Sequence, residues 1–341
     1  MGGKSIREKK HTGLHFTVVV LADVLLIGLI LLVFMAFQLK QSDQAAEQPL
    51  PAATAFAPVA ASPTPETEKE QHAPEDTRTE WQKRFAEHFT EEVIRTDNSY
   101  TSPNVSITVE SRTIEEGDTK SVYHVADIYI ASPENFRTYT ANNELRYHSV
   151  QDALEMDIAA GALVAINGDF YAYQGSGFIV RNGAVYQKGY ADCDICVMYN
   201  DGSIEMYYPD SYDMDEILAR GAAQVWNFGP SLLEDGHVRD NYGKASIIIN
   251  YKNPRSALGY YEPGHYCFVV VDGRQNGYSR GVSLSQLARI FEDLGCVSAY
   301  NMDGGGSAVM TFDHQRYSSQ SNGASRGLSD LLVIVETEGV E

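Results

Sequence analysis

The chain has 341 residues and a formal net charge of −20, with 43% hydrophobic and 21% charged residues. This length and composition predict one sizeable folded domain with accessory segments. The negative charge excludes nucleic acid as a partner, because binding it requires Lys and Arg to neutralise phosphates. The 28 glycines and 21 tyrosines favour a protein rich in strands and turns over a helical bundle.

The N-terminus has the pattern of a membrane anchor. A basic cytoplasmic tail at residues 1–14 precedes an apolar run at residues 15–39. About 25 apolar residues can span a bilayer, whereas the apolar core of a cleaved signal peptide is only about 7–15 residues long. Positive charge before the helix predicts a single-pass protein of the cell membrane, with a cytoplasmic N-terminus and an extracellular remainder. A cleaved signal is the alternative, because Ala55 and Ala57 have a cleavage-like spacing.

Two segments separate this anchor from the main domain. Residues 40–79, rich in Ala, Pro, Glu and Thr, predict a flexible disordered stalk. Residues 80–104 predict an amphipathic helix and a lead-in, with Thr79 and Gln82 as a capping box. The apolar residues of this helix recur every four positions, at Trp81, Phe85, Phe89 and Val93. This stripe favours packing on the domain.

The main domain is predicted at residues 105–341. Its strands are predicted at the apolar or alternating runs VSITVES, YHVADIYIA, ALVAIN, AVYQ, CVMYN, SIEMYY, SIIINY, CFVVV and LLVIV. Helices are predicted at SVQDALEMDIAAG, SYDMDEILARGA and SLSQLARIFEDLG. The predicted fold class is α/β in the mixed α+β sense, with a central mixed sheet and flanking helices.

Polar clusters follow three apolar strands of this domain. CFVVV ends at Asp272, CVSAYNM ends at Asp303, and ALVAIN ends at Asn167, Gly168 and Asp169. A helix lies between the first two strands, so we expect a βαβ unit whose strands are parallel and end at one sheet edge. Ligands of open α/β sheets bind at that edge. Each Asp-Gly or Asn-Gly pair is, however, also a common turn dipeptide.

Two arginines lie beside apolar strands. Arg255 precedes LGYY, and Arg326 precedes LLVIV. A buried guanidinium needs an anionic partner, because burying an unpaired charge is costly. That partner is either Asp272 or Asp303, or else a bound phosphate or carboxylate.

The even number of cysteines allows one or two disulfides in an exported domain. The four residues are Cys193, Cys196, Cys267 and Cys296. The CDIC motif is also typical of redox proteins and zinc half-sites. A redox function is disfavoured, because no second CxxC and no thioredoxin-like context accompany the motif.

Several motifs in order resemble the phosphodiester glycosidase family across about residues 105–338. They are INGDFY, WNFGPSLLEDG, NPRSALG, VVVDGR and YNMDGGGSAVM, followed by SRGLSDLLVIV. The resemblance implies an exported hydrolase that cleaves the glycosyl–phosphate bond of sugar-1-phosphodiesters, with N-acetylglucosamine as the model sugar and cell-surface polysaccharide metabolism as the setting. Asp169 and Tyr171 stand where the family more often has Gly and Phe, which leaves the sugar preference open. A non-catalytic module that binds anionic cell-surface polysaccharide is the alternative function.

The resemblance also implies roles for the strand-end residues. Asp303 and Asp272 are the candidates for base or nucleophile, and Asp303 is preferred because the adjacent glycines would bring it beside the phosphate. The other expected substrate-binding residues are Arg255, Arg274 and Arg326 with Gly304, Gly305, Gly306 and Ser307 for the phosphate, and Asn167, Gly168 and Asp169 for sugar hydroxyls. Asp272 is also expected to orient Arg255 or to act as the partner acid. The carboxylates and Asn167 offer oxygen ligands to Ca²⁺ or Mg²⁺, but no EF-hand or zinc spacing is present, so no metal ligand is assigned.

Overall fold

The computed structural model describes residues 78–117, 119–209, 211–242, 251–321 and 326–337. The predicted tail at 1–14, the membrane span at 15–39 and the stalk up to residue 77 lie outside these residues, as does most of the run SIIINY. Within the described ranges, none of the helices is long and apolar enough to cross a membrane.

Nineteen strands and four α-helices form in the described part of the chain. The strands are β1 (Ile94–Thr96), β2 (Ser99–Thr101), β3 (Val105–Glu116), β4 (Thr119–Ile130), β5 (Phe136–Thr140), β6 (Ala162–Asn167), β7 (Ile179–Arg181), β8 (Ala184–Gln187), β9 (Ile195–Tyr199), β10 (Ile204–Tyr207), β11 (Ala222–Asn227), β12 (Leu233–Glu234), β13 (His237–Val238), β14 (Arg255–Glu262), β15 (His265–Val271), β16 (Ser298–Asn301), β17 (Met310–Phe312), β18 (Gln315–Arg316) and β19 (Asp330–Val335). The helices are α1 (Glu80–Arg84), α2 (Ala153–Ala160), α3 (Met214–Ala219) and α4 (Leu284–Leu294).

The strands form three main sheets and one short hairpin. The first sheet has the order β1-β2-β3-β4-β15-β14-β16, the second β10-β9-β11-β7-β8 and the third β18-β17-β6-β19-β5, while β12 pairs with β13. All pairings between these strands are antiparallel. The sheet-rich α+β class is therefore confirmed, but the single central mixed sheet is wrong.

The predicted βαβ unit has a third strand inside it. Both β15 and β16 pair antiparallel with β14, so they point the same way and end at one sheet edge, as expected. They are not neighbours, because β14 forms a hairpin with β15 and fills the place between them. The hairpin turns at Pro263-Gly264, where Gly264 has a φ of +92° that suits glycine.

The first and third sheets pack face to face around the main core. Along β15, Tyr266, Phe268 and Val270 point into this core with residues of β6 and β19, whereas Cys267 and Val269 point to the opposite face under α4. Helix α2 covers the outer face of the third sheet. The second sheet has its own core under α3. Successive side chains along a strand thus point to opposite faces of its sheet. The resulting layers are α4, the first sheet, the third sheet and α2.

Helix α1 is shorter than predicted, although its capping box is present. Thr79 and Gln82 cap it as expected, but it ends at Arg84, and β1 forms where the helix was expected to continue. Trp81 and the buried Phe85 pack on the core side, so the predicted packing is confirmed. The chain leaves the helix early because residues 94–96 pair with β2.

Candidate functional site

The carboxyl ends of β6 and β16 meet where the third and first sheets approach each other. The Asp303 N–H donates to the Gly168 carbonyl over 3.3 Å, and Asn167 Nδ2 donates to the Asp303 carbonyl over 2.7 Å. Asn167 Oδ1 accepts from the Val309 N–H over 3.2 Å. The two strand ends therefore converge, although they belong to different sheets. The side chain of Asn167 is buried and bonded to backbone groups, and its contact with sugar hydroxyls stays a prediction.

Asp303 is the carboxylate of this junction that reaches solvent. Its residue is partly exposed, whereas Asp169 is buried. Burial raises the pKa of Asp303 and the charge of Asp169 adds to the rise, while the Ser307 hydroxyl and the charge of Arg326 act against it. The Gly304 N–H also donates to Asp303 Oδ1 over 2.8 Å. An accessible carboxylate with a raised pKa is suited to accept a proton near neutral pH.

A buried triad of Asp169, Arg181 and Asp330 lies next to this junction. Arg181 Nη2 donates to Asp169 Oδ1 and Arg181 Nε donates to Asp330 Oδ2, each over 2.7 Å. The remaining Arg181 Nη1 donates to the carbonyls of Val180 and Val225. The triad joins the end of β6 to β7 and β19, and so ties the second sheet to the third. Asp169 also accepts from the N–H groups of Tyr171 and Asn227, and its contact with sugar hydroxyls stays a prediction.

One guanidinium pairs with two carboxylates in this triad, which leaves an excess of negative charge. Asp330 Oδ1 has no hydrogen-bond partner within the described residues. Burial raises the pKa of Asp330 to about 7; Arg181 opposes this rise and Asp169 reinforces it. Gly168 lies against the same oxygen, since a Cβ there would be 2.3 Å from it. The triad therefore holds a proton up to near-neutral pH.

Arg181 and Asp330 were missed by the sequence interpretation. Arg181 follows the buried run FIV before an Asn-Gly turn, and Asp330 immediately precedes the last predicted strand, LLVIV. The argument applied to Arg255, that a guanidinium beside an apolar strand needs an anion, applies equally to Arg181. The signal was therefore present in the sequence, but nothing there identified Asp169 as the partner.

Arg255 is buried without an ion pair to any described carboxylate. Its Nε donates to the Val282 carbonyl over 3.3 Å and its Nη2 to the Tyr251 carbonyl over 3.1 Å. Burial, with the nearby charge of Arg274, lowers the pKa of Arg255 to about 10. Neither Asp272 nor Asp303 is the partner, and a bound anion in that place stays a prediction.

The glycine triplet packs against the segment that carries Arg255. The Gly305 N–H donates to the Pro254 carbonyl over 2.9 Å, and a Cβ on Gly304 would lie 2.7 Å from that oxygen. Gly305 has a φ of +64°, and a Cβ there would lie 3.1 Å from Arg274 Nη2. The N–H groups of Gly304 and Gly305 donate to Asp303 Oδ1 and to the Pro254 carbonyl, and their role in binding phosphate stays a prediction. The absence of side chains lets the loop that follows Asp303 lie against Pro254 and the Arg274 side chain.

Asp272 is engaged in a separate buried network. Its Oδ2 bonds with His124 Nε2 and accepts from the Tyr278 hydroxyl, each over 2.9 Å, and its Oδ1 accepts from the Ser319 N–H over 2.9 Å. The prediction that Asp272 orients Arg255 is therefore wrong. Asp272 instead fixes the Ser319 segment on the end of β15, and its role as a second acid stays a prediction.

The expected oxygen ligands do not converge on one point. Within the described residues, no group of three or more His, Cys, Asp and Glu side chains could hold a metal ion. Asp169 is paired with Arg181, and Asp272 is bonded to His124 and Tyr278.

The CDIC motif lacks the environment of a redox site. Cys196 is buried in β9, and burial raises the pKa of Cys193 to about 12. A reactive thiol needs a lowered pKa.

Comparison with known proteins adds a family to this geometry. A model described as phosphodiester glycosidase matches residues 160–335, a range that contains the triad, Arg255 and Asp303. The uncharacterized SPbeta prophage-derived protein YomE of Bacillus subtilis is 28% identical over 190 residues, which are 54% of this chain and 29% of that protein. The chain thus spans less than a third of the length of this curated relative.

Two solved structures resemble the chain. The catalytic domain of zebrafish N-acetylglucosamine-1-phosphodiester alpha-N-acetylglucosaminidase, auto-inhibited by its pro-peptide, has a TM-score of 0.58 and 20% identity, covering 72% of this chain and 88% of that one. A hypothetical protein from Synechocystis has a TM-score of 0.46 and 16% identity, covering 68% and 62%. At this level of identity the zebrafish likeness shows a shared fold.

Proposed function

The chain belongs to the phosphodiester glycosidase family, and we propose that it hydrolyses the bond between the anomeric carbon of a sugar and a phosphate oxygen of a sugar-1-phosphodiester. Family membership supports a hydrolase, and the substrate class is our inference. One observation carries it. The partly exposed Asp303, with its raised pKa, precedes the glycine loop that packs against the segment carrying Arg255, a buried guanidinium with no ion pair among the described residues.

The chemistry of the leaving group explains why such a site needs cations more than a second acid. Most glycosidases use two carboxylates, one of which protonates a poor leaving group. A phosphate leaves as a stabilised anion, so positive charge held near it can replace much of that acid. Arg255, with a pKa of about 10, remains cationic at neutral pH. The charge of Arg274 acts on Arg255, and the charge of Arg326 acts on Asp303. These two arginines therefore extend the positive region.

Asp303 supplies the carboxylate at the anomeric carbon. In our proposal it removes a proton from the attacking water, because its raised pKa makes it a better base than an ordinary carboxylate. Water attack predicts an inverted anomer. Product analysis by NMR, immediately after turnover, measures this outcome. A retained configuration would instead assign Asp303 as the nucleophile.

The reaction class is tested with the purified chain, UDP-N-acetylglucosamine and a methyl-phosphoryl N-acetylglucosamine diester. We expect release of free N-acetylglucosamine by the wild type and none by Asp303→Asn, with unchanged thermal unfolding. Asp201→Asn, at an exposed turn remote in sequence, is the control and should remain active. A parallel reaction with EDTA tests the divalent-cation alternative. Wild-type turnover by Asp303→Asn would remove Asp303 from the mechanism.

The phosphate role of the arginines has its own test. Arg274→Ala should raise the KM for the phosphodiester far more than that for an uncharged aryl glycoside. Arg280→Ala, an exposed neighbour bonded to Asn276, is the matched control. Equal losses on both substrates would contradict a phosphate site. Arg255→Lys keeps the charge but alters the geometry, and serves as the variant of the buried position.

We also propose that the domain acts outside the cell, held at the membrane by its N-terminal segment, on cell-surface polysaccharides that contain phosphodiester-linked sugars. The basic tail and the apolar run at residues 15–39 support this location. Protease accessibility of the domain on intact cells, with recovery in the membrane fraction, is the expected result. Tight binding of anionic polysaccharide without turnover of any sugar-1-phosphodiester would favour the non-catalytic alternative.

A further inference from the structure

Cys267 and Cys296 meet on the face of the first sheet that α4 covers. Their Sγ atoms are 3.6 Å apart, and both residues are buried in the same apolar cluster. Cys267 lies in β15, whereas Cys296 lies between the end of α4 and the start of β16. The thiols therefore approach each other although β14 separates the two strands.

Gly259 of β14 provides the space for this approach. It pairs with Cys267 on one side and with Ala299 on the other. A Cβ at this position would lie 2.6 Å from Cys267 Sγ and 2.8 Å from the Phe291 ring. Its backbone is outside the left-handed region, so conformation does not require glycine here. Glycine is required because the Cys267 thiol and Phe291 occupy the place of a side chain.

We propose that Cys267 and Cys296 form a disulfide that fastens β15 to the segment between α4 and β16. The two thiols lose two protons and two electrons to a small or protein disulfide, which is released as two thiols, so the exchange is balanced. Closing the bond requires the sulfurs to approach by about 1.5 Å. The loop that the bond closes contains Asp272, Arg274 and α4, and is thereby restrained.

The surroundings indicate that the bond forms during folding. Burial raises the pKa of the Cys267 thiol, and the Tyr261 hydroxyl lies within hydrogen-bond reach of both sulfurs. A buried thiol with a raised pKa exchanges slowly. Oxidation is therefore expected before α4 closes over the sheet. Within the described residues, no comparable contact joins Cys193 to Cys196, which makes that pair a matched control.

The test is refolding of the full chain in detergent with oxidised glutathione, followed by denaturation, alkylation of free thiols and peptide mass mapping. We expect one cross-linked peptide pair containing Cys267 and Cys296, with Cys193 and Cys196 alkylated. Reductant should lower the Tm of the oxidised protein by about 5–15 °C. Cys193→Ala/Cys196→Ala should keep both the cross-link and this shift.

Two variants separate the bond from simple packing. Cys296→Ser, which keeps the size of the side chain, should have a Tm that reductant does not change, and its Cys267 should be alkylated. Gly259→Ala should reduce the yield of the cross-link, because its Cβ would displace the Cys267 thiol. Complete alkylation of Cys267 and Cys296 in the refolded, soluble wild type would overturn the proposal. A Cys193–Cys196 cross-link in their place would do the same.

Discussion

The proton held by the buried triad predicts an unusual dependence of stability on pH. The pKa of Asp330 is raised from 3.8 to about 7 in the folded chain. Between these values the folded state binds a proton that the unfolded state has lost. The resulting stability is complete below about pH 4 and is lost as the pH rises through 7. A difference of about three pH units corresponds to about 4 kcal/mol.

Replacement of Asp330 by Asn measures this contribution, because Asn imitates the protonated acid and does not titrate. Urea unfolding is followed from pH 4.5 to 8 for the wild type and for Asp330→Asn. We expect the free energy of unfolding of the wild type to fall by about 3 kcal/mol relative to the variant over this range, since part of the full effect is already lost at pH 4.5. The expected slope is negative, since the folded state binds more protons.

Glu116→Gln is the control for this experiment. Its hydrogen bond with Lys252 lowers the pKa of Glu116, so its contribution has the opposite sign and disappears in acid. Burial opposes the charged form of Arg181, but the charges of Asp169 and Asp330 raise its pKa. Arg181 therefore stays cationic over the whole pH range of the experiment. Parallel curves for the wild type and Asp330→Asn would refute the reasoning. They would mean that Arg181 neutralises both carboxylates.

Three further outcomes follow from the same geometry. Arg181→Met leaves two buried carboxylates without their cation and should lower the free energy of unfolding by about 3–5 kcal/mol in urea, whereas Arg280→Ala on the surface should change it by less than about 0.5 kcal/mol. Gly168→Ala should cost about 1–3 kcal/mol, because its Cβ would lie 2.3 Å from Asp330 Oδ1; a full cost in an Asp330→Ala background would contradict this contact. The pH profile of kcat/KM should rise through a pKa above that of an ordinary carboxyl group, since burial raises the pKa of Asp303; a profile already flat at pH 5 would argue against Asp303 as the base.

Local patterns in the sequence were sufficient to predict about half of the nineteen strands and the capped helices. The Ser283 and Gln286 capping box and the Gly295 stop bound α4 as expected. The topology was harder to predict. The Pro-Gly dipeptide at 263–264 is a turn signal, but the strand before it, NPRSALGYY, contains a Gly and an Arg and has no clear alternation. The run LGYY indicates an apolar strand beside Arg255, but its place between β15 and β16 was missed, and a parallel unit was expected instead.

The site was predictable only in part, because pairing between distant charges leaves no local pattern. The place of Asp303 in a polar cluster just after β16 followed from strand-end position. The partners of Asp169 and Asp272 did not, since Arg181 and His124 come from other parts of the chain. Isolated polar residues within apolar strands were the available signal, and Arg181 is one of them.

Gly168 couples the buried triad to the reactive acid. Its N–H donates to the Asp330 carbonyl over 3.1 Å, and its carbonyl accepts from the Asp303 N–H over 3.3 Å. The charges of these groups are coupled as well. The charge of Asp303 raises the pKa of Asp330, and the charge of Asp169 raises the pKa of Asp303. Ionisation of Asp330 near neutral pH therefore makes ionisation of Asp303 more costly, and the carboxyl groups titrate as one coupled system. The basicity of Asp303 thus depends on Arg181, which itself lies fully buried among its partners.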